Sequence, residues 1–184
     1  MRIPACSSGR QQWRRGDGMV ETSAVLWEGT ALERRLRELD GPGRDEPVDF
    51  DGPRLAAKVN ALAALIEESF PGAVSVDGPL RDWQDSATFT HVTVDGAANR
   101  TSADLVICIS RHGDLCFIAL ERPGAYSREE FDALADPEDL RPMTAALEAL
   151  DFTVAREESL WSRYDGPLVM SHPSWLERYF GYPL

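Results

Sequence analysis

The stretch that decides the fold is Asp104–Leu120, DLVICISRHGDLCFIAL. It holds two apolar runs, Leu105–Ile109 and Leu115–Leu120, and the polar link Arg111–Asp114 between them. Uninterrupted apolar runs of this length are typical of strands that are buried on both faces. The link predicts a hairpin turn, so we expect two central antiparallel strands with material packed on either side.

Outward from this hairpin, turn residues and apolar spacing predict the remaining elements. Further strands are predicted at 73–77, 87–94, 152–155 and 168–170. Helices are predicted from the Thr30…Glu33 capping box, from Pro53 to Pro71, from Ser127…Glu130, from near Asp139, and from Ser174…Glu177 to Gly181. The predicted fold class is α+β, with one central antiparallel sheet of about five or six strands packed against helices.

Three cysteines occur, at positions 6, 108 and 116. A hairpin loop of two or four residues places Cys108 and Cys116 on opposite faces of the sheet, whereas an odd loop length would bring them together. A disulfide is therefore not implied, and buried free thiols indicate a reducing compartment, the cytoplasm.

The charge is strongly negative and unevenly distributed. The whole chain has a formal net charge of −12, yet residues from Met19 onward carry 15 Arg+Lys against 30 Asp+Glu. Such a surface repels phosphate backbones, so we expect no nucleic-acid partner, and it favours either simple solubility or a basic partner. Residues 1–20 are interpreted as a disordered tail or a wrongly assigned start, and residues 21–184 as a single α+β domain. No apolar run is long enough for a membrane span or a secretory signal.

The sequence offers little for catalysis. Its single lysine, Lys58, lies within a predicted helix, and glycine-rich nucleotide loops, metal-ligand spacings and nucleophile motifs are missing, so we predict no cofactor and no metal. The best enzymatic alternative is a small hydrolase that combines His172 or His91 with Asp104 or Glu121 at strand ends. His112 lies in the hairpin turn. The acidic pairs Glu157-Glu158 and Asp82…Asp85 are candidates for acid–base work, although a solvated face is the simpler interpretation.

The C-terminal segment is the most distinctive region, because six of the chain's 16 aromatic residues lie in its last 24 positions. Trp, Tyr and Arg commonly anchor protein interfaces. The predicted partner-binding residues are Trp161, Arg163, Tyr164, Trp175, Arg178, Tyr179 and Tyr182. The alternative is that this segment simply closes the core, with its tyrosines hydrogen-bonded at the rim.

The runs LEALDFTV (147–154), LWSRYDG (160–166) and WLERYFGY (175–182) resemble the ends of small, acidic, uncharacterised actinobacterial proteins, some of them immunity-like. The element order from Pro53 onward is similar to that of acidic secretion chaperones. Together with the negative charge and the aromatic C-terminal segment, these resemblances lead us to predict a non-enzymatic cytoplasmic protein-binding module for a basic partner, either an immunity protein or a secretion chaperone. The alternatives are the small hydrolase above and a purely structural domain.

Overall fold

The computed structural model describes residues 13–15, 18–20, 27–40, 47, 50–77, 89–112 and 114–181. Six α-helices lie in these ranges: α1 Gly29–Leu39, α2 Gly52–Glu67, α3 Arg128–Leu134, α4 Pro137–Ala149, α5 Glu157–Leu160 and α6 Trp175–Phe180. The strands are β1 Trp13–Arg15, β2 Gly18–Val20, β3 Val74–Asp77, β4 Phe89–Val94, β5 Leu105–Ser110, β6 Leu115–Leu120 and β7 Thr153–Val154.

The main sheet has five strands in the order β3-β4-β5-β6-β7. Neighbours are antiparallel from β3 to β6, but β7 runs parallel to β6, with Cys116 beside Val154. The prediction of an α+β fold is confirmed, while the prediction of a purely antiparallel sheet is wrong at this pair. The reason is that α3 and α4 form a crossover connection, which returns the chain in the same direction as β6. Strands β1 and β2 pair with each other in a separate ladder.

Helices cover both faces of the sheet, as the two apolar runs predict. On one face, Leu55, Val59, Leu62 and Ile66 of α2 pack with Met143 and Leu147 of α4 against Ile107 and Ile109. On the other face, Leu32 and Leu36 of α1 and the residues of α5 and α6 pack against Cys108 and Phe117. All six residues of β5 are buried because they lie between these two cores.

The central hairpin has the predicted four-residue link. Ile109 lies opposite Cys116 and Cys108 opposite Phe117, so the two cysteines point to opposite faces. Both are free and buried. Burial raises the pKa of each thiol above its ordinary value, so both stay protonated at neutral pH.

Several local predictions differ from the structure. Residues 167–171 form turns and not a strand. Helix α1 begins one residue before Thr30, with Glu28 at the N-cap and no side-chain capping bond, so the predicted capping box is wrong. The single-turn helix α5 has no counterpart among the predictions. Capping boxes at Ser127…Glu130 and Ser174…Glu177 are confirmed.

None of the helices in the described ranges combines the length and the apolar content that a membrane span requires.

Candidate protein-binding surface

Six of the seven predicted binding residues are described, and they lie in α6 and in the segment between α5 and α6, on the α1 face of the sheet. Helix α6 begins at a reciprocal capping box, in which Ser174 Oγ accepts a hydrogen bond from Glu177 N and Ser174 N donates to Glu177 Oε2. It ends at Gly181, whose φ of 59° is a left-handed cap that favours glycine. Both ends of this short helix are therefore fixed by local sequence.

Four of the seven predicted residues are buried. Tyr164, Trp175, Arg178 and Tyr179 each expose 2% or less of their surface. Tyr164 meets Trp175 edge-to-face at 4.8 Å between ring centroids, and Trp175 stacks on Tyr179 at 5.8 Å. Side chains without accessible surface cannot contact a partner in this fold, so the prediction of these four as surface anchors is corrected. They belong to the core, as the alternative held.

The polar atoms of Tyr164, Arg178 and Tyr179 are held by α1 and by its C-cap residue, Asp40. Arg178 Nε donates to Asp40 Oδ1 at 2.8 Å, and Tyr164 OH donates to Asp40 Oδ2 at 2.7 Å. Tyr179 OH donates to the carbonyl oxygen of Leu36. Burial and the Asp40 hydrogen bond raise the pKa of Tyr164, and burial raises that of Tyr179. Both tyrosines therefore stay protonated, and each donates a hydrogen bond that holds the C-terminal segment to α1 or to Asp40.

Gly166 is packed against the same network. A Cβ placed on Gly166 would overlap both Asp40 Oδ2 and Tyr164 OH. The loop backbone therefore approaches the buried carboxylate as closely as it does only because residue 166 has no side chain.

The other three predicted binding residues differ from these four in their exposure or lie outside the described residues. Trp161 is half-buried, and its Nε1 donates to Glu157 Oε1 at 3.3 Å. Arg163 is exposed. Tyr182 lies outside the described residues. Among the predicted residues that the structure describes, Trp161 and Arg163 thus keep surface that a partner could reach.

The structure adds an exposed apolar tip that the sequence reasoning missed. Met170 exposes 95% of its surface and Val169 37%, at the turn between α5 and α6. We call Ser162–Ser174 the tip loop. The sequence predicts a strand at the apolar run Leu168–Met170, but an apolar run alone does not distinguish a strand from an exposed loop. The one signal for a loop was the sequence around it, with Asp165-Gly166-Pro167 before the run and His172-Pro173 after it.

Hydrogen bonds and one ion pair hold the base of the tip loop in place. Tyr164 N donates to Pro173 O at 3.1 Å, and Trp175 N donates to Ser162 O at 3.2 Å. Leu168 N donates to Tyr164 OH at 3.2 Å, and His172 N to Leu168 O at 3.0 Å. Arg37 of α1 also pairs with Asp165 at 3.0 Å. An anchored base presents Val169 and Met170 in a fixed position.

Two members of the proposed catalytic pairs, His91 and Asp104, have structural contacts. His91 lies beside Asp77 across the β3–β4 ladder and packs against Phe89 at 4.6 Å. Burial lowers the pKa of His91, and the nearby Asp77 offsets this in part. Asp104 Oδ1 accepts a hydrogen bond from Gly96 N at 2.8 Å, which closes the loop before β5. Asp104 therefore has a structural role at the strand end.

Glu157 and Glu158 of the predicted acidic pair contact different parts of the structure. Glu157 accepts hydrogen bonds from Gly124 N and from Trp161, while Glu158 pairs with Arg128 at 3.6 Å. Burial raises the pKa of Glu157, and the two hydrogen bonds oppose this. Asp82 and Asp85 lie outside the described residues.

Within the described ranges, no group of three or more His, Cys, Asp or Glu side chains is arranged to hold a metal ion. Comparisons with protein families, with curated proteins and with solved structures found no match. The fold and its surface are therefore what a functional proposal can build on.

Proposed function

We propose that this protein is a non-enzymatic, cytoplasmic binding module for a basic protein, of the immunity-protein or secretion-chaperone kind. The observation that carries the proposal is an ordered, exposed apolar tip on a strongly acidic chain. Val169 and Met170 would enter an apolar pocket of the partner, and basic side chains around that pocket would face the acidic surface.

Charge supports the choice of a basic partner. Residues from Met19 onward carry twice as many acidic as basic side chains, 30 against 15. A field of this sign accelerates the encounter with a cationic protein and disfavours anionic partners. Long-range attraction of this kind raises the association rate more than it raises affinity.

The tip loop supports the place of contact. Exposed apolar side chains add nothing to the core, yet an anchored loop that presents them loses little entropy when a partner binds. Trp161 directly precedes the tip loop and Arg163 lies near its start, so both would lie at the edge of the same interface. The buried residues Tyr164, Trp175, Arg178 and Tyr179 would then act indirectly, by fixing the base of the loop.

Affinity capture with the tagged full chain from its native host tests this function. A stoichiometric basic protein that is retained at low ionic strength and released at high ionic strength is the expected result. That protein is then purified, and its dissociation constant is measured by calorimetry across a salt series. Affinity should fall as salt rises, because screening weakens the charge attraction.

Two results would contradict the proposal. One is a purified partner whose affinity does not depend on salt, since the acidic surface would then contribute nothing. The other is a chain that retains no protein but turns over small ester or amide substrates, which would favour the hydrolase alternative.

A further inference from the structure

Helix α3 has an outer face that is open to solvent. None of its seven residues is buried, and Phe131 is only half-buried against the core. Leu134, at its C-terminal end, exposes 51% of its surface. This helix therefore presents an apolar side chain beside its polar ones.

The side chains around that face are mostly acidic. Glu121, Glu129, Glu130 and Glu158 are exposed there, and Arg128 connects the two helices by pairing with Asp132 of α3 and Glu158 of α5, each at 3.6 Å. We call the outer side of α3 together with the start of α5 the α3–α5 face. A cationic segment with some apolar residues would complement it.

The chain enters the domain next to this face. Trp27 forms a parallel bridge with Ala155, and its backbone N donates to Val154 O at 2.9 Å. Glu28 forms an ion pair with Arg156, the residue directly before α5. Trp27 and Glu28 thus lie beside the start of α5.

The first 18 residues have the complementary chemistry. They contain Arg2, Arg10, Arg14 and Arg15 against the single acidic residue Asp17, together with Trp13 and Ile3 as apolar side chains. We propose that residues 1–18 dock on the α3–α5 face of their own chain, with arginines against Glu129 and Glu158 and an apolar side chain against Leu134.

Tethering makes even a weak contact effective. Because Arg15 pairs with Gly18 in the β1–β2 ladder, the connection to the domain is residues 21–26, and the distance from Val20 to Trp27 is at most roughly 25 Å. A short flexible tether gives an effective concentration of the order of 1 mM, so an intrinsic affinity in that range would keep the segment docked about half of the time. Docking needs no second protein, so it holds or fails independently of the partner interaction proposed above.

Cys6 provides the probe, because Cys108 and Cys116 are buried. A nitroxide attached to Cys6 of the full chain broadens the amide resonances that come near it. We expect the strongest broadening in α3 and α5 at about 0.01 M ionic strength and its loss at about 1 M, where the Debye length falls from roughly 30 Å to roughly 3 Å.

Matched variants separate a specific site from general attraction. Glu129→Gln with Glu158→Gln should weaken docking by about 2- to 10-fold, because each exposed ion pair contributes only a modest free energy. The control is Glu33→Gln with Glu38→Gln on α1, both exposed and both paired with arginines at 3.4 and 3.5 Å. It should leave the broadening unchanged. Broadening spread evenly over the domain, or reduced equally by both pairs of substitutions, would overturn the proposal.

Discussion

At the scale of single residues, Lys58 illustrates how one charge is used for structure. Its Nζ lies 2.8 Å from Asp114 Oδ2, donates to Asp151 O at 3.2 Å, and lies 4.1 Å from the ring centroid of Phe152. Asp114 and Asp151 both have a positive φ, 58° and 53°, which is unfavourable for residues other than glycine. The only lysine of the chain therefore holds the two strained turns that lead into the parallel strands β6 and β7.

We expect Lys58→Met to lower the free energy of unfolding by about 1–3 kcal/mol, because a charged hydrogen bond in a mostly buried site is lost. Urea denaturation followed by circular dichroism measures this. The control is Arg35→Met, whose pair with Glu38 is exposed and should contribute less than about 1 kcal/mol. An equal loss of unfolding free energy in both variants would contradict this prediction, because the contacts of Lys58 would then contribute no more than an exposed ion pair.

His91 predicts a pH dependence on the acid side. Because burial lowers its pKa in the folded protein, the unfolded chain binds more protons than the folded one below the ordinary histidine value of about 6.5. Its contribution to stability is present above that pH and is lost as the pH falls towards the folded pKa. Comparison of wild type and His91→Gln by denaturation between about pH 7.5 and pH 5 should show a flatter profile for the variant. Parallel profiles would contradict this assignment.

At the scale of elements, α6 is held against the end of α1 by a buried ion pair between Arg178 and Asp40, in addition to its aromatic contacts. The side chains of Arg178 and Asp40 are 1% and 5% exposed, so their ion pair lies almost wholly out of water. Removal of one partner from such a pair leaves a buried charge without its counter-ion, which is typically more costly than removal of both.

A double-mutant cycle tests this ion pair. Arg178→Met should destabilise the protein by about 3–5 kcal/mol, and Asp40→Leu with Arg178→Met should recover part of that loss. The change is followed through Trp fluorescence in urea, since Trp175 stacks in the same cluster. The cycle also needs the single variant Asp40→Leu. If the destabilisation by Arg178→Met and that by Asp40→Leu simply add in the double variant, Arg178 and Asp40 are not energetically coupled.

The elements also show what the sequence could predict. Caps such as Ser127…Glu130 and Ser174…Glu177 are local signals, and the apolar runs of β5 and β6 have only one arrangement that buries both faces. The parallel pairing of β7 depends on where α3 and α4 return the chain, which no local pattern specifies. Burial of Tyr164, Trp175 and Tyr179 depends on contacts with α1, which is more than 120 residues away in sequence. The same residue types serve cores and interfaces alike, so composition could not separate the two.

At the scale of the whole molecule, the buried C-terminal aromatic residues and the exposed apolar tip lie in different parts of the fold. Helices on both sides cover the sheet, and the C-terminal aromatic residues complete one of the two cores. Most of the described acidic side chains are exposed, although the side chains of Asp40 and Asp139 are buried, and the tip loop carries two exposed apolar side chains, Val169 and Met170. Substitutions at the tip should therefore leave stability nearly unchanged, since surface changes away from special features typically cost less than about 0.5 kcal/mol.

The most direct test of the binding claim is the affinity of the purified basic partner for two matched variants. Val169 and Leu65 expose 37% and 36% of their surface, but Leu65 lies on α2, on the other side of the sheet. Val169→Asp should weaken binding by about tenfold or more, the effect of an interface anchor, whereas Leu65→Asp should change it by less than about threefold. Unchanged affinity of Val169→Asp, or an equal loss in both variants, would contradict a partner contact at the tip loop.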